Sequence, residues 1–282
     1  VISIGLGGWG DHDVLYPPRT PASQKLTIYA RHFPVVEVDS SFYAVLAQDT
    51  YQKWVDQTPA SFSFILKAYQ GMTGHSRGNI PFQDAGEMYD AYLRSIRPVA
   101  ASGKLRAILF QFPPWFDCSP EHVRQLRAVR KRMGELPVAL EFRHQSWFLG
   151  DYKERTLEFM REEGWIHIIC DEPQAGAGSV PTVLEPTDPE LAIVRMHGRN
   201  TSAWNQSGAP NWREVRYLYR YSGEELAEWA EKLGILSEKG VKDICMIFNN
   251  NSGGDAAPNG RMMMELLGQQ ASELPPEQMD LF

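Results

Sequence analysis

The amino-acid sequence predicts a single (β/α)₈ barrel with long loops at the C-terminal face of its strands. Three observations carry this expectation: eight short apolar runs, helical periodicity between several of them, and strand ends where one face turns ionic. The runs expected as strands are Ile2–Gly7, Val35–Ser40, Phe62–Lys67, Ala107–Phe112, Val138–Arg143, Ile166–Asp171, Ala192–His197 and Asp243–Asn249.

After the first run, Thr20-Pro21 pairs a capping hydroxyl with proline at the first helical position. In the second run Val36 and Val38 alternate with Glu37 and Asp39. The third ends on Lys67, and a loop is expected from Gln70 to Gln83. From Asp84 to Ser102, Ala85, Met88, Tyr89, Tyr92, Ile96 and Val99 recur at three- and four-residue spacing, which predicts a helix. The fourth run ends at Gln111-Phe112, and Ser119-Pro120 marks the next helix start. In the fifth, Val138, Leu140 and Phe142 alternate with Ala139, Glu141 and Arg143. The sixth ends on Asp171, before a loop from Glu172 to Glu190. In the seventh, Val194 and Met196 alternate with Arg195 and His197, and a third long loop spans Arg199–Tyr221. Ser222 with Glu225 then fits a capping box ahead of Leu226, Trp229, Ala230 and Leu233. The eighth leads into Asn249, Asn250, Asn251 and the pair Gly253-Gly254.

Strands alternating with helices argue for a parallel sheet, since each parallel connection needs a crossover. An open doubly wound sheet is the rival, but strands covered on both faces read as continuous apolar runs. Here one face is apolar and the other becomes polar at the strand end, as where a barrel interior opens into its mouth.

Hydrophobic residues make up 43% of the 282 and the formal net charge is −7, so nothing in the balance attracts nucleic acid or membrane generally. Cys118, Cys170 and Cys245 are widely spaced and form no C-x-x-C pair. Without a signal-like opening segment or an apolar run of membrane-spanning length, a soluble, cytoplasmic protein is expected.

The strand ends supply Glu37, Asp39, Lys67, Gln111, Glu141, Arg143, Asp171, Arg195, His197, Arg199, Asn249 and Asn250, with His75 in the following loop. In a barrel these converge on one concave site. Glu37, Glu141, Asp171 and His197 are the candidate acids and bases, because neighbouring charges shift their pKa values. Lys67, His75, Gln111, Arg143, Arg195, Arg199, Asn249 and Asn250 are the candidate substrate-binding set, arginine holding an anion through paired hydrogen bonds. Trp9, Tyr43, Phe112, Trp115 and Trp147 follow strand ends and are candidate pocket walls. The same charges would also suit a self-neutralised network. A divalent metal on Glu37, Glu141, Asp171 and His197 is the alternative, opposed by the nearby cations and by the lack of H-x-H or H-E-x-x-H spacing; no cofactor is expected.

Five segments occur together in one order: Val36-Glu37-Val38-Asp39-Ser40-Ser41-Phe42-Tyr43, Gln111-Phe112-Pro113-Pro114, Glu141-Phe142-Arg143 with Trp147, Arg195-Met196-His197-Gly198-Arg199, and Phe248-Asn249-Asn250. In this the chain resembles the YecE-like family, domain-of-unknown-function family 72. Lys67 and His75 fit the family's lysine and following histidine, while Asp39 stands where asparagine is expected. The resemblance implies a TIM-like barrel with these residues at its mouth and implies no reaction.

The barrel is expected over residues 1–270, and 271–282 as a flexible tail. The segment Gln278-Met279-Asp280-Leu281-Phe282 is similar to the glutamine–leucine–leucine–phenylalanine peptide that docks on the bacterial DNA sliding clamp, with Met279 in place of leucine. Gln278, Met279, Leu281 and Phe282 are thus candidate partner-binding residues. The expected function is acid–base chemistry, of hydrolase or lyase type, on an anionic small molecule or nucleotide-derived substrate. A non-catalytic metabolite-binding barrel and a metal-dependent phosphodiesterase are the alternatives.

Overall fold

A computed structural model describes residues 1–76, 78, 80–204 and 215–269. Eight parallel strands close into one barrel in sequence order. They are β1 (Ile2–Gly7), β2 (Val35–Val38), β3 (Ser63–Lys67), β4 (Leu105–Gln111), β5 (Val138–Glu141), β6 (Ile166–Asp171), β7 (Leu191–Met196) and β8 (Asp243–Phe248). Closure is made where Ile2–Leu6 pair with Ile244–Phe248. The expected strands are all present, several ending a residue or two earlier because their last residues already turn into loops.

The helices are α1 (Ala22–His32), α2 (Ser40–Tyr43), α3 (Gln48–Asp56), α4 (Ala85–Ser95), α5 (Arg97–Ala101), α6 (Pro120–Met133), α7 (Tyr152–Glu163), α8 (Thr201–Trp204), α9 (Gly223–Glu238) and α10 (Ala256–Leu266). Two of the expected caps form. Ser119 accepts from the His122 N–H, and Ser222 with Glu225 completes the capping box of α9. The Thr20 cap does not: Pro21 occupies the N-cap of α1, and the Thr20 hydroxyl donates to the Pro17 carbonyl.

The helix expected from Asp84 to Ser102 is broken at Ile96 into α4 and α5. Pro98 has no N–H to give the Arg94 carbonyl one turn earlier. The Gln48 side-chain amide donates to that carbonyl instead, at 2.7 Å.

The core is one continuous apolar cluster running from Ile4 to Met264. No helix among the described residues is long and apolar enough to cross a membrane.

Candidate active site

The polar interior is built by the period-two rule, because alternate residues of a strand face the barrel axis. Glu37 on β2, Glu141 on β5 and Arg195 on β7 meet there, each fully buried. Arg195 donates from Nε and Nη2 to the two oxygens of Glu37, at 2.8 and 2.5 Å, and from Nη1 to Glu141 Oε2. The other oxygen of Glu141 accepts from Arg143 Nε at 2.6 Å and Gln111 Nε2 at 2.8 Å. Arg195 therefore joins two carboxylates rather than facing an incoming anion. A buried charge set of this kind persists only when every member is paired.

His197, just beyond β7, is enclosed. Its Nε2 lies 3.1 Å from Arg143 Nη2, 3.3 Å from Arg195 Nη1 and 3.3 Å from Glu141 Oε1, and its Nδ1 lies 3.1 Å from the Asn249 amide. Burial and the two guanidiniums push its pKa well below the ordinary imidazole value, so the ring is neutral. Burial alone would raise Glu141, but Arg143, Arg195 and His197 together hold it well below the usual carboxylate range. Burial drives Glu37 upward even against Arg195.

Glu172 was not foreseen. It follows β6, shares the inward face with Cys170, and its side chain is fully buried. One oxygen accepts from the Val180 N–H at 2.6 Å. The other lies 3.4 Å from Arg143 Nη1, and neither of those two atoms has a hydrogen-bond partner. Burial raises the Glu172 carboxyl to about 7, opposed by Arg143. The sequence signal was its two-residue spacing from Cys170, which is obscured when the strand is ended at Asp171.

Asp171 points the other way, into the helix layer. It accepts from Arg199 Nε at 2.9 Å, from Arg199 Nη2 at 2.6 Å and from the indole of Trp229 on α9. Arg199 also reaches Glu225, so Asp171 and Arg199 pin β6 to α9 and stand apart from the interior network. Gly198 makes that turn. Its φ is +86°, and an added Cβ would meet Tyr219 Cβ at 2.5 Å. Asn250 likewise faces away from the axis, donating to the Tyr219 carbonyl and to Asn259 of α10.

The mouth has two halves. Over Arg143 and His197 lie Trp204 and Tyr217, with ring centres 6.3 and 5.9 Å from the imidazole and the Arg143 guanidinium 5.3 Å from the Trp204 ring. The Trp204 indole donates to the Gly178 carbonyl, which ties two of the long loops together. The other half holds Lys67, whose ammonium lies 3.1 Å from Asp39 and over the Phe42 ring. His75 sits beside Phe42 and Trp115, its Nδ1 2.8 Å from the Thr73 hydroxyl, and burial with Lys67 and Arg143 lowers its pKa to about 4. Gly7 lets Asn249 approach the backbone, since a Cβ there would meet Asn249 Oδ1 at 2.7 Å.

The aromatic walls differ from expectation. Trp147 stacks on Phe142 at 4.0 Å behind β5 and donates to the Phe116 carbonyl, in the helix layer. Trp9 packs edge-on against Trp54 of α3, and Tyr43 is exposed. Gln278, Met279, Leu281 and Phe282 lie outside the described residues.

For a metal, the four residues expected from the strand ends do not assemble, because Asp171 faces outward. Among the described residues Glu141, Cys170 and His197 instead bring ligand atoms within 4.8 Å of one another. Two guanidiniums already contact the His197 Nε2 of that set, and burial with Glu141 and Glu172 pushes the Cys170 thiol well up, against the thiolate. The set fits a cation poorly.

Fold and site together define a TIM-like barrel whose interior is a buried carboxylate–guanidinium network opening into a partly covered polar mouth. The family model described as "Protein of unknown function DUF72" matches residues 3–280, and the chain belongs to that family. It is 56% identical over 283 residues to the UPF0759 protein YunF of Bacillus subtilis (strain 168), covering 100% of both chains. It is 23% identical to the UPF0759 protein YecE of Escherichia coli (strain K12), over 81% of this chain and 82% of that one. A DUF72 family protein from Enterococcus faecalis V583 superposes with a TM-score of 0.92 at 35% identity, covering 99% of this chain and 100% of that one. One from Thermotoga maritima MSB8 superposes at 0.80 with 29% identity, covering 95% and 99%.

Proposed function

We propose that this protein is an acid–base enzyme, of hydrolase or lyase type, that takes a small anionic or nucleotide-derived substrate into the barrel mouth. The observation that carries the reading is that Lys67 and Arg143 stand at the mouth with the buried Glu172 carboxyl 3.4 Å from Arg143 Nη1. Burial would raise the Tyr217 hydroxyl, yet Arg143, Arg216, Lys67 and Arg195 bring it below its ordinary value. Lys67 and Arg143 hold the anion, Arg143 Nη1 lying 3.4 Å from the Glu172 carboxyl. Glu172 carries the proton, because burial raises its carboxyl to about 7 beside Arg143. Glu37 and Glu141 serve as the frame that orients Arg195, and Glu141 also holds Arg143. His197, neutral and fixed, holds Arg143 in place.

Thermal shift with orthophosphate, nucleoside phosphates, sugar phosphates and carboxylates tests it, repeated on Lys67→Ala and Glu172→Gln. A ligand at about a hundred times its Kd stabilises by roughly 2.7 kcal/mol. The expected hit disappears in Lys67→Ala and survives in Glu172→Gln, which then turns the compound over at least about a hundredfold more slowly. A hit indifferent to Lys67 would overturn the site. Binding without turnover of any hit would instead support the non-catalytic barrel, the reading favoured by the bidentate locking of Glu37 on Arg195.

Recruitment to the bacterial sliding clamp is a separate part of the proposal and rests on Gln278-Met279-Asp280-Leu281-Phe282 alone. Deleting 278–282 is expected to abolish clamp binding in a pull-down. Unchanged capture would remove this partner.

A further inference from the structure

Outside the barrel, α6, α7 and the 3-10 turn Gln145–Phe148 enclose a cavity of about 470 Å³. Two helical stripes make it. On α6, Val123 and Arg127 are one turn apart with Arg124 beside them, and on α7, Tyr152, Arg155, Thr156 and Phe159 follow at three- and four-residue spacing. The buried indole of Trp147 and the half-buried Val123 and Phe159 form an apolar floor. Exposed Arg124, Arg127 and Arg155 form the rim, and no carboxylate lines the cavity.

The three arginines are differently engaged. Arg127 pairs with Glu163 at 2.7 Å and lies over the Phe159 ring. Arg155 lies over the ring of Tyr152. Arg124 makes no ion pair among the described residues. Arg124 and Arg155, exposed guanidiniums beside an apolar floor and without an ion pair among the described residues, suit a ligand carrying both characters. The volume lies in the range of small-molecule sites. A neutral apolar ligand would gain nothing from the rim, and a bare inorganic anion would leave the floor uncovered.

We infer that this cleft is a second binding site, separate from the barrel mouth, for a small organic anion: an aromatic or apolar body bearing one carboxylate, sulfonate or phosphate. The body lies on Trp147 and Phe159, and the anion meets Arg124 and Arg155, whose planar forks match such groups.

Cys118 lines the same cleft, whereas Cys170 and Cys245 are buried, so one native thiol reports occupancy in the folded protein. The probe is 8-anilinonaphthalene-1-sulfonate, an aromatic monoanion that brightens on apolar burial. Saturating probe is expected to slow alkylation of Cys118 by neutral iodoacetamide at least fivefold. The double variant Arg124→Glu/Arg155→Glu, changed only at exposed side chains, is expected to bind the probe at least tenfold more weakly with its unfolding temperature retained. Lys67→Ala, at the mouth, leaves probe affinity unchanged. Alkylation indifferent to the probe, affinity that survives the charge reversals, or affinity lost in Lys67→Ala would each overturn the site. The last outcome would move the probe to the mouth without bearing on the acid–base reading of it.

Discussion

Arg195 shows how one side chain can be indispensable to a site without meeting a ligand. Its guanidinium stands between Glu37 and Glu141, and removing it leaves two buried carboxylates without their shared counter-charge. Arg195→Ala is therefore expected to destabilise the fold by about 3–5 kcal/mol, a large share of typical total stability. Urea unfolding checks this, and a loss under about 1 kcal/mol would show that the network is dispensable. Glu172 carries the opposite lesson. Its carboxyl is raised to about 7 in the fold and lies at the ordinary carboxylate value in the unfolded chain. Between those two values the folded state keeps a proton that the unfolded state has lost, so this group's contribution to stability falls as pH rises through that window. Glu172→Gln, which stays neutral, should thus gain unfolding temperature relative to the parent on going from pH 5 to pH 8, with a difference on the order of a few kcal/mol. A pH-independent difference would place the Glu172 carboxyl at an ordinary value.

At the scale of elements, the local rules succeed where side chain and backbone decide alone. Ser222 and Glu225 close their capping box on α9, and Ser222→Ala is expected to cost about 1 kcal/mol by chemical unfolding. A neutral outcome would mean that packing of Trp229 and Leu233 already holds that helix start. The same rules fail where a second local signal competes with the first. The periodicity from Ala85 to Val99 reads as one helix, but Pro98 divides it and Gln48, far away in sequence, satisfies the carbonyl set free. Thr20 resembles a cap, yet Pro17 offers its hydroxyl an acceptor closer at hand.

For the whole molecule, closure removes every sheet edge. β8 is hydrogen-bonded to both β1 and β7, so losing it exposes two strand edges together. A chain ended at Lys242 is expected to be insoluble or to lack a cooperative unfolding transition by circular dichroism. A soluble, cooperatively folding fragment would show that seven strands suffice. Alternation and spacing alone determined the barrel, its eight strands, and the gathering of Glu37, Glu141, Arg195 and His197 inside it, because period two assigns faces before any contact is known. Tertiary structure decided the rest. Arg199 leaves the interior because the backbone turns at Gly198, whose φ no alternation rule contains, whereas Asp171 faces outward because it alternates with the inward Cys170. Glu172 enters because the inward face outlasts the hydrogen-bonded strand by one residue. Trp204 and Tyr217 cover Arg143 and His197, and the Trp204 indole donates to the Gly178 carbonyl, a contact between residues distant in sequence that only folding brings together.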